Sequence, residues 1–304
     1  MKAVVSTSSY GKYDGTPLEM LKRAGVEFLL NPHGRKLSGA ELVELAAEAD
    51  GLIAGTESLS QDVIAQLKKL KVISRCGVGL DNVDLQAAAR AGIKVLNTPD
   101  GPTDPVVELT MGLILSALRF ISLSDASIRK GVWQKPMGGL LRTRTVGIIG
   151  FGRIGRRLAA VLLAFGAKVV AHDIAAVPAV EGVEFMSLAD LLARADIVTL
   201  HVPSSKKGHL IDKQAILKMR SGAFLVNAAR GGLVDEVALY DALQSGKLAG
   251  AAVDTFENEP YRGKLTELDN VVLTPHIGSY AREARINMEI QAAKNLLKGL
   301  EVQL

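Results

Sequence analysis

Three short stretches of the chain gather the residue types that acid–base chemistry uses: Asn227-Ala-Ala-Arg-Gly231, Asp254-Thr-Phe-Glu-Asn-Glu-Pro260 and Thr274-Pro-His-Ile-Gly278. Each follows a short apolar run, so each polar cluster is expected at the C-terminal end of a strand, where open α/β sheets bind their ligands. A histidine takes and returns a proton near neutral pH. A carboxylate bonded to it favours its charged form and fixes its orientation, and a planar guanidinium suits the clamping of a carboxylate. Taken singly, Glu259 reads as a turn acid before Pro260, Arg230 as a surface ion-pair partner and His276 as a satisfied core histidine. Together on three strand ends they read as one site.

What positions them is a dinucleotide-binding unit. Thr145-Val-Gly-Ile-Ile-Gly-Phe-Gly-Arg-Ile-Gly155 breaks an apolar run into glycines spaced G-x-G-x-x-G. Gly150 permits the tight turn, Gly152 lets a pyrophosphate approach the backbone, and Gly155 lets the following helix pack on its strand. That helix, read as Arg156 to Phe165, aims its N-terminus at the phosphates. Lys168-Val-Val-Ala-His172 is the next strand and ends at Asp173, eighteen residues beyond Gly155, where a carboxylate accepts both ribose hydroxyls of NAD. Ile174-Ala175-Ala176 offers nothing to hold a 2′-phosphate, so NAD is predicted over NADP.

The chain of 304 residues is 48% hydrophobic, enough for two domains with their own cores. Its formal charge of +4 comes from 36 basic and 32 acidic residues mixed along the sequence. That distribution argues against nucleic acid and for a small anionic substrate. The single cysteine, Cys76, excludes an internal disulfide, and no metal cluster is expected. The N-terminus enters a strand pattern without a signal-peptide core, and no apolar stretch reaches the ~18 residues of a membrane span. A cytoplasmic protein without membrane contact is expected.

Residues 1–96 alternate strand and helix as a small parallel domain. Its strand at Lys71 to Arg75 leads into Cys76-Gly-Val-Gly79, a glycine turn whose amides could hold a carboxylate. Asn97-Thr-Pro-Asp-Gly-Pro102 is dense in turn formers and marks a crossing between domains. Pro105 is read at the first position of the next helix, with Thr103 or Asp104 as its cap. That helix, Val106 to Ser122, is apolar nearly all round and must be buried, in a core or a subunit interface. A glycine-bearing turn, Gly131 to Gly139, follows with Trp133. Beyond Asp173 the alternation continues to Val271-Val-Leu273, giving residues 97–278 about six or seven parallel strands. An amphipathic helix in 279–304 has no strand after it and is expected to return to the first domain.

With these motifs in this order, the sequence resembles the D-isomer-specific 2-hydroxyacid dehydrogenases over essentially its whole length, most of all the phosphoglycerate dehydrogenase branch. The resemblance implies two doubly wound parallel α/β domains, an NAD-binding Rossmann domain inserted in a flavodoxin-like substrate domain, and a homodimer. It places the family's arginine, acid and histidine on Arg230, Glu259 and His276. His276 then exchanges the hydroxyl proton as hydride moves between substrate and nicotinamide, Glu259 orients it, and Arg230 clamps the substrate carboxylate. The cofactor side comprises Gly150, Gly152, Arg153, Ile154 and Asp173, then His201-Val202-Pro203, Ala228, Asp254, His276 and Gly278. His172 is read beside the adenosine, and His33 and His209 as surface residues. The substrate side comprises Arg75, Val78, Gly79 and Arg230, with Arg75 as a phosphate contact.

There are departures. Where the phosphoglycerate branch often carries Arg-Ser-x-Thr, this chain has Gly55-Thr-Glu-Ser58, and its crossing reads Asn97-Thr-Pro-Asp-Gly-Pro102. The sequence ends without the C-terminal regulatory domain of longer phosphoglycerate dehydrogenases, so serine feedback through one is not expected. The reading puts oxidation of 3-phosphoglycerate to 3-phosphohydroxypyruvate first and glyoxylate or hydroxypyruvate reduction second. A corepressor-like NAD-sensing binding protein is the alternative of another class.

Overall fold

The structure, a computed structural model, describes residues 1–99, 101–204 and 208–303; Asp100, inside the crossing at 97–102, lies outside them. The chain forms two compact units, Met1–Pro102 with Ser279–Leu304, and Thr103–Gly278. The crossing therefore belongs to the first unit, because Asn97 still pairs in its last strand.

The first unit holds strands β1 (Lys2–Val5), β2 (Glu27–Leu30), β3 (Gly51–Ala54), β4 (Val72–Arg75) and β5 (Lys94–Asn97), and helices α1 (Thr16–Arg23), α2 (Gly39–Ala46), α3 (Gln61–Gln66) and α4 (Leu85–Arg90). All pairings are parallel, in the order β2-β1-β3-β4-β5. This is the flavodoxin-like winding, and its switch point puts loops at the carboxyl ends of β1, β3 and β4. Ser38 and Glu41 form a reciprocal capping box on α2, while Ser60 and Asp84 cap α3 and α4.

The second unit runs α5 (Thr103–Arg119), α6 (Ile121–Arg129), β6 (Thr145–Ile149), α7 (Arg153–Ala164), β7 (Lys168–His172), β8 (Val183–Phe185), α8 (Leu188–Arg194), β9 (Ile197–Leu200), α9 (Lys213–Lys218), β10 (Ala223–Asn227), α10 (Glu236–Gln244), β11 (Leu248–Val253) and β12 (Val271–Leu273). Its seven strands are parallel in the order β12-β11-β10-β9-β6-β7-β8. This is the Rossmann winding, carried one strand further at the β12 edge. Strands β9 and β10 are buried along their length, as continuous Val, Ile and Leu runs require in a sheet covered on both faces.

Three elements differ from the sequence reading. The long apolar helix starts at Thr103, so Pro105 is not its first residue, and it stops at Arg119. Phe120 adopts φ 54, and α6 leaves at 64° to α5. The apolar helix α5 is buried in its own unit's core, through Val107, Leu113, Ile114 and Leu118, whereas α6 buries no residue. Strand β8 is too short to show a period. Finally, α7 begins at Arg153 with Gly152 as its cap, so Gly155 lies inside the helix. Among the described residues, no single helix is long and apolar enough to cross a membrane.

The last helix, α11 (Arg282–Gly299), packs on the first unit's sheet with Met288, Ala292 and Leu296 fully buried beside Ala3, Val5 and Val72. Its first turns are tied to the loop after β1. Arg285 Nη2 donates to Ser9 Oγ at 2.8 Å and pairs with Glu289 at 3.0 Å, and the Gly11 N–H donates to Glu289 at 2.9 Å. Burial pushes the Glu289 carboxyl up, and these donors oppose it.

Candidate active site

The glycine fingerprint forms the turn its spacing implies. Gly150 has φ +95, and a Cβ there would overlap the His201 carbonyl, so only glycine fits. A Cβ on Gly155 would overlap the Gly150 carbonyl, which lets α7 lie close against β6. In front of Gly152 there is open space, so its backbone is the one a pyrophosphate can approach. The buried Phe151 ring packs edge-on against Phe185 of β8, with centroids 4.9 Å apart. That contact aims the Phe151 N–H at Asp173, whose Oδ2 accepts it at 2.6 Å while Oδ1 accepts the Ala175 N–H at 2.9 Å. Burial raises the Asp173 carboxyl, but the Ala175 and Phe151 amides outweigh it and hold the group below the usual carboxylate range. Each oxygen keeps a second lone pair for a ribose hydroxyl. Ile174, next in line, is wholly exposed. The residues fit NAD: an open backbone at a helix N-terminus, then an ionised acid with no cation after it.

His201 and His172 are both anchored. His201 Nε2 lies 2.9 Å from Thr199 Oγ1, and burial pulls its pKa down to about 4, so the ring is neutral at physiological pH. His172 Nδ1 lies 3.0 Å from the Met186 carbonyl. Ala228 is buried, Val202 and Ile154 are half-buried, and Pro203 and Arg153 are exposed.

The acid–base group forms at the ends of β10, β11 and β12. His276 stands with φ 54, an unusual conformation for a residue with a Cβ. Its Nδ1 donates to the Glu259 carboxylate at 2.9 and 3.0 Å. That bond fixes the tautomer and leaves Nε2 as the ring nitrogen that Glu259 does not engage. Glu259 is itself held, since its Oε1 accepts the Phe256 N–H at 3.1 Å. Arg230 Nη1 donates to the Ala229 carbonyl at 2.7 Å, and Asn227 Nδ2 donates to the Arg230 carbonyl at 2.9 Å. The asparagine of Asn-x-x-Arg thus closes the loop that presents the arginine.

Asp254 is fully buried. Its Oδ1 accepts Thr274 Oγ1 at 2.6 Å and the Ile277 N–H at 2.9 Å, and its Oδ2 accepts the Gly278 N–H at 2.9 Å. The pair is a clamp on the 274–278 turn, and it holds His276 in its left-handed conformation. His209 is exposed, as the surface reading expects, and its Nε2 lies 2.6 Å from Glu257, two residues before Glu259.

In the first unit, the Gly77–Gly79 turn is tied down by Gly77 N–H to Thr98 Oγ1 at 2.7 Å and Asn97 Nδ2 to the Val78 carbonyl at 2.7 Å. The Gly77 amide is therefore spent internally. The Val78 and Gly79 N–H groups have no protein acceptor among the described residues. Arg75 folds back over this turn and donates to the Cys76 carbonyl. A side chain at Gly77 would overlap the Arg75 guanidinium. At the end of β3, Glu57 is 2% exposed; its Oε1 accepts the Gly55 N–H at 2.9 Å and the Ser6 hydroxyl.

These features fit a nicotinamide-dependent dehydrogenase. Residues 111–278 match the sequence model of the "D-isomer specific 2-hydroxyacid dehydrogenase, NAD binding domain". The chain is 42% identical over 270 residues to a hydroxypyruvate reductase of Thermotoga maritima, covering 86% of this chain and 88% of that one. It is 44% identical over 268 residues to a D-3-phosphoglycerate dehydrogenase of Mycobacterium leprae, covering 86% of this chain but 51% of the relative. It thus spans about half the length of that relative. Among solved structures, a Thermus thermophilus protein superposes with a TM-score of 0.92 at 38% identity, over 99% of this chain and 97% of that one. A D-lactate dehydrogenase of Aquifex aeolicus, complexed with NAD and lactic acid, gives 0.87 at 27% identity, over 99% and 96%. The chain belongs to the D-isomer-specific 2-hydroxyacid dehydrogenases, enzymes that use NAD.

Proposed function

We propose that the chain reduces a small unphosphorylated 2-keto acid, hydroxypyruvate or glyoxylate, to the 2-hydroxy acid, in preference to acting on 3-phosphoglycerate. The observation that carries this order is Glu57. The loop Gly55–Ser58 has no cation: Gly55 stands where the phosphoglycerate branch often carries arginine, and the buried carboxylate of Glu57 accepts its N–H. A phosphate dianion needs charge-assisted donors. Arg75 and the Val78 and Gly79 amides are enough for one substrate carboxylate. The hydroxypyruvate reductase relative, matched over most of its length, supports the same reading.

Bound NADH supplies the hydride. The chain's own residues then act on the other half of the reaction. Arg230 orients the keto acid and polarises its carbonyl, and His276 gives the Nε2 proton to the carbonyl oxygen. The imidazole is left neutral, with its Nδ1–H still on Glu259. Steady-state assays should show kcat/KM for hydroxypyruvate at least ~10-fold above that for 3-phosphohydroxypyruvate, since one charged hydrogen bond is worth roughly 1.5–3 kcal/mol. Equal or higher kcat/KM for the phosphorylated acid overturns the assignment and restores the phosphoglycerate reading.

We also propose a homodimer built on α6 and the stretch after it. Ile121, Ile128, Trp133 and Met137 there are exposed, an apolar series of the kind subunit interfaces cover. Ile128→Glu is expected to convert the dimer to monomer in sedimentation. A variant that keeps the dimer mass refutes this surface.

A further inference from the structure

Phe256 and its peptide bond to Glu257 are gripped from several directions, and two of the grips lead to groups assigned to the reaction. The Phe256 N–H donates to Glu259 at 3.1 Å. The Glu257 N–H donates to Glu236 Oε1, at the start of α10, at 2.9 Å. Gly231, the residue after Arg230, lies so close that a Cβ on it would overlap the Phe256 carbonyl. The Phe256 ring is buried and stacks on Tyr261 with centroids 4.2 Å apart. The Arg230 loop and the Glu259 loop therefore meet on the two adjoining peptides of Phe256, the first at its carbonyl and the second at its N–H.

Glu236 is the anchor of the Phe256–Glu257 peptide. Asp235 caps α10 through the Val237 and Ala238 N–H groups at 3.1 and 3.0 Å, which sets the direction from which Glu236 leaves the helix. Segment 227–236 consequently touches the peptide twice, at Gly231 through packing and at Glu236 through a hydrogen bond. The Glu257 carboxylate points to His209 instead, and both partners are about one-third exposed. Exposed pairs of this kind hold little. Burial pushes the Glu236 carboxyl up, the Glu257 amide opposes it, and the charges of Glu257 and Glu259 add to it. Its acceptor oxygen, rather than its charge alone, is what the Glu257 amide needs.

We propose that Glu236 is a positioning residue of the dehydrogenase reaction, holding Glu259 and Arg230 in a common register through Phe256 and its peptide bond to Glu257. This rests on the assignment of Arg230, Glu259 and His276 as the reacting set. Misplacement of reacting groups by about 1 Å lowers rates on the order of 100-fold. Glu236→Ala is accordingly expected to lower kcat about 10-fold or more, with KM for NADH within about twofold of wild type. The isotope effect on kcat with NADH deuterated at the transferred position should rise, as the chemical step becomes slower. Glu236→Gln keeps an acceptor and should restore kcat to within about threefold. Glu236→Asp keeps the charge but falls one methylene short, and should behave like the alanine variant.

The inference is overturned if Glu236→Ala keeps wild-type kcat, or if glutamine fails to rescue it. Should Glu236→Ala fail to fold, by circular dichroism and NADH fluorescence, the contrast between glutamine and aspartate decides. His276→Asn run in parallel separates the two levels. Full activity there defeats the site assignment itself, whereas an inactive His276→Asn beside a fully active Glu236→Ala defeats only the positioning role.

Discussion

His276→Asn is expected to lower kcat for keto-acid reduction on the order of 10²–10⁴-fold while leaving NADH affinity unchanged within about twofold. Asparagine retains a side-chain donor toward Glu259 and can occupy the left-handed conformation that His276 adopts at φ 54. What it lacks is a group that gives up a proton near neutral pH. The carbonyl oxygen would then have to be protonated by water, so the loss falls on the chemical step. Stopped-flow fluorescence separates NADH binding from hydride transfer. A variant that transfers hydride at the wild-type rate would show that the proton comes from elsewhere.

Arg230→Lys is expected to lower kcat/KM for the keto acid roughly 10²–10³-fold, about 3–4 kcal/mol, with most of the loss in kcat. The charge is kept, so the size of the loss measures geometry. The guanidinium can keep its 2.7 Å bond to the Ala229 carbonyl while other N–H groups of the same rigid plane face the substrate. An ammonium has no such plane: its donors rotate, and holding Ala229 removes the orientation needed for the carboxylate and carbonyl together. Steady-state kinetics at saturating NADH tests this, and activity within about threefold of wild type would mean that Arg230 acts only as a charge.

The parts of the site that could be read from sequence are those whose chemistry is local. Gly150 to Gly155 must make a tight turn within a few residues, and Asp173 follows after one strand, so spacing alone carries both. The Asn227, Asp254 and Thr274 segments each close a strand, which puts Arg230, Glu259 and His276 at the carboxyl ends of three neighbouring strands of one sheet. Other features depend on partners distant in sequence. Asp254 accepts the Ile277 and Gly278 amides from more than twenty residues along the chain, which spacing does not announce. The contacts of His209 with Glu257 and of Glu236 with the Glu257 amide need the loop after β11 to come down beside them. The break at Phe120 had no proline or glycine to announce it, and β8 is only three residues long. The paired signal at Gly55–Ser58 was legible as a missing arginine, but the burial of Glu57 under Ser6 needed the sheet order.

The return of α11 to the first sheet has a consequence for the order of folding. One face of that sheet is completed by Met288, Ala292 and Leu296, while Ala3, Val5 and Val72 are synthesised roughly two to three hundred residues earlier. During translation the NAD-binding unit, contiguous from Thr103 to Gly278, emerges whole and can fold first. The first unit must wait with part of an apolar face uncovered until α11 leaves the ribosome.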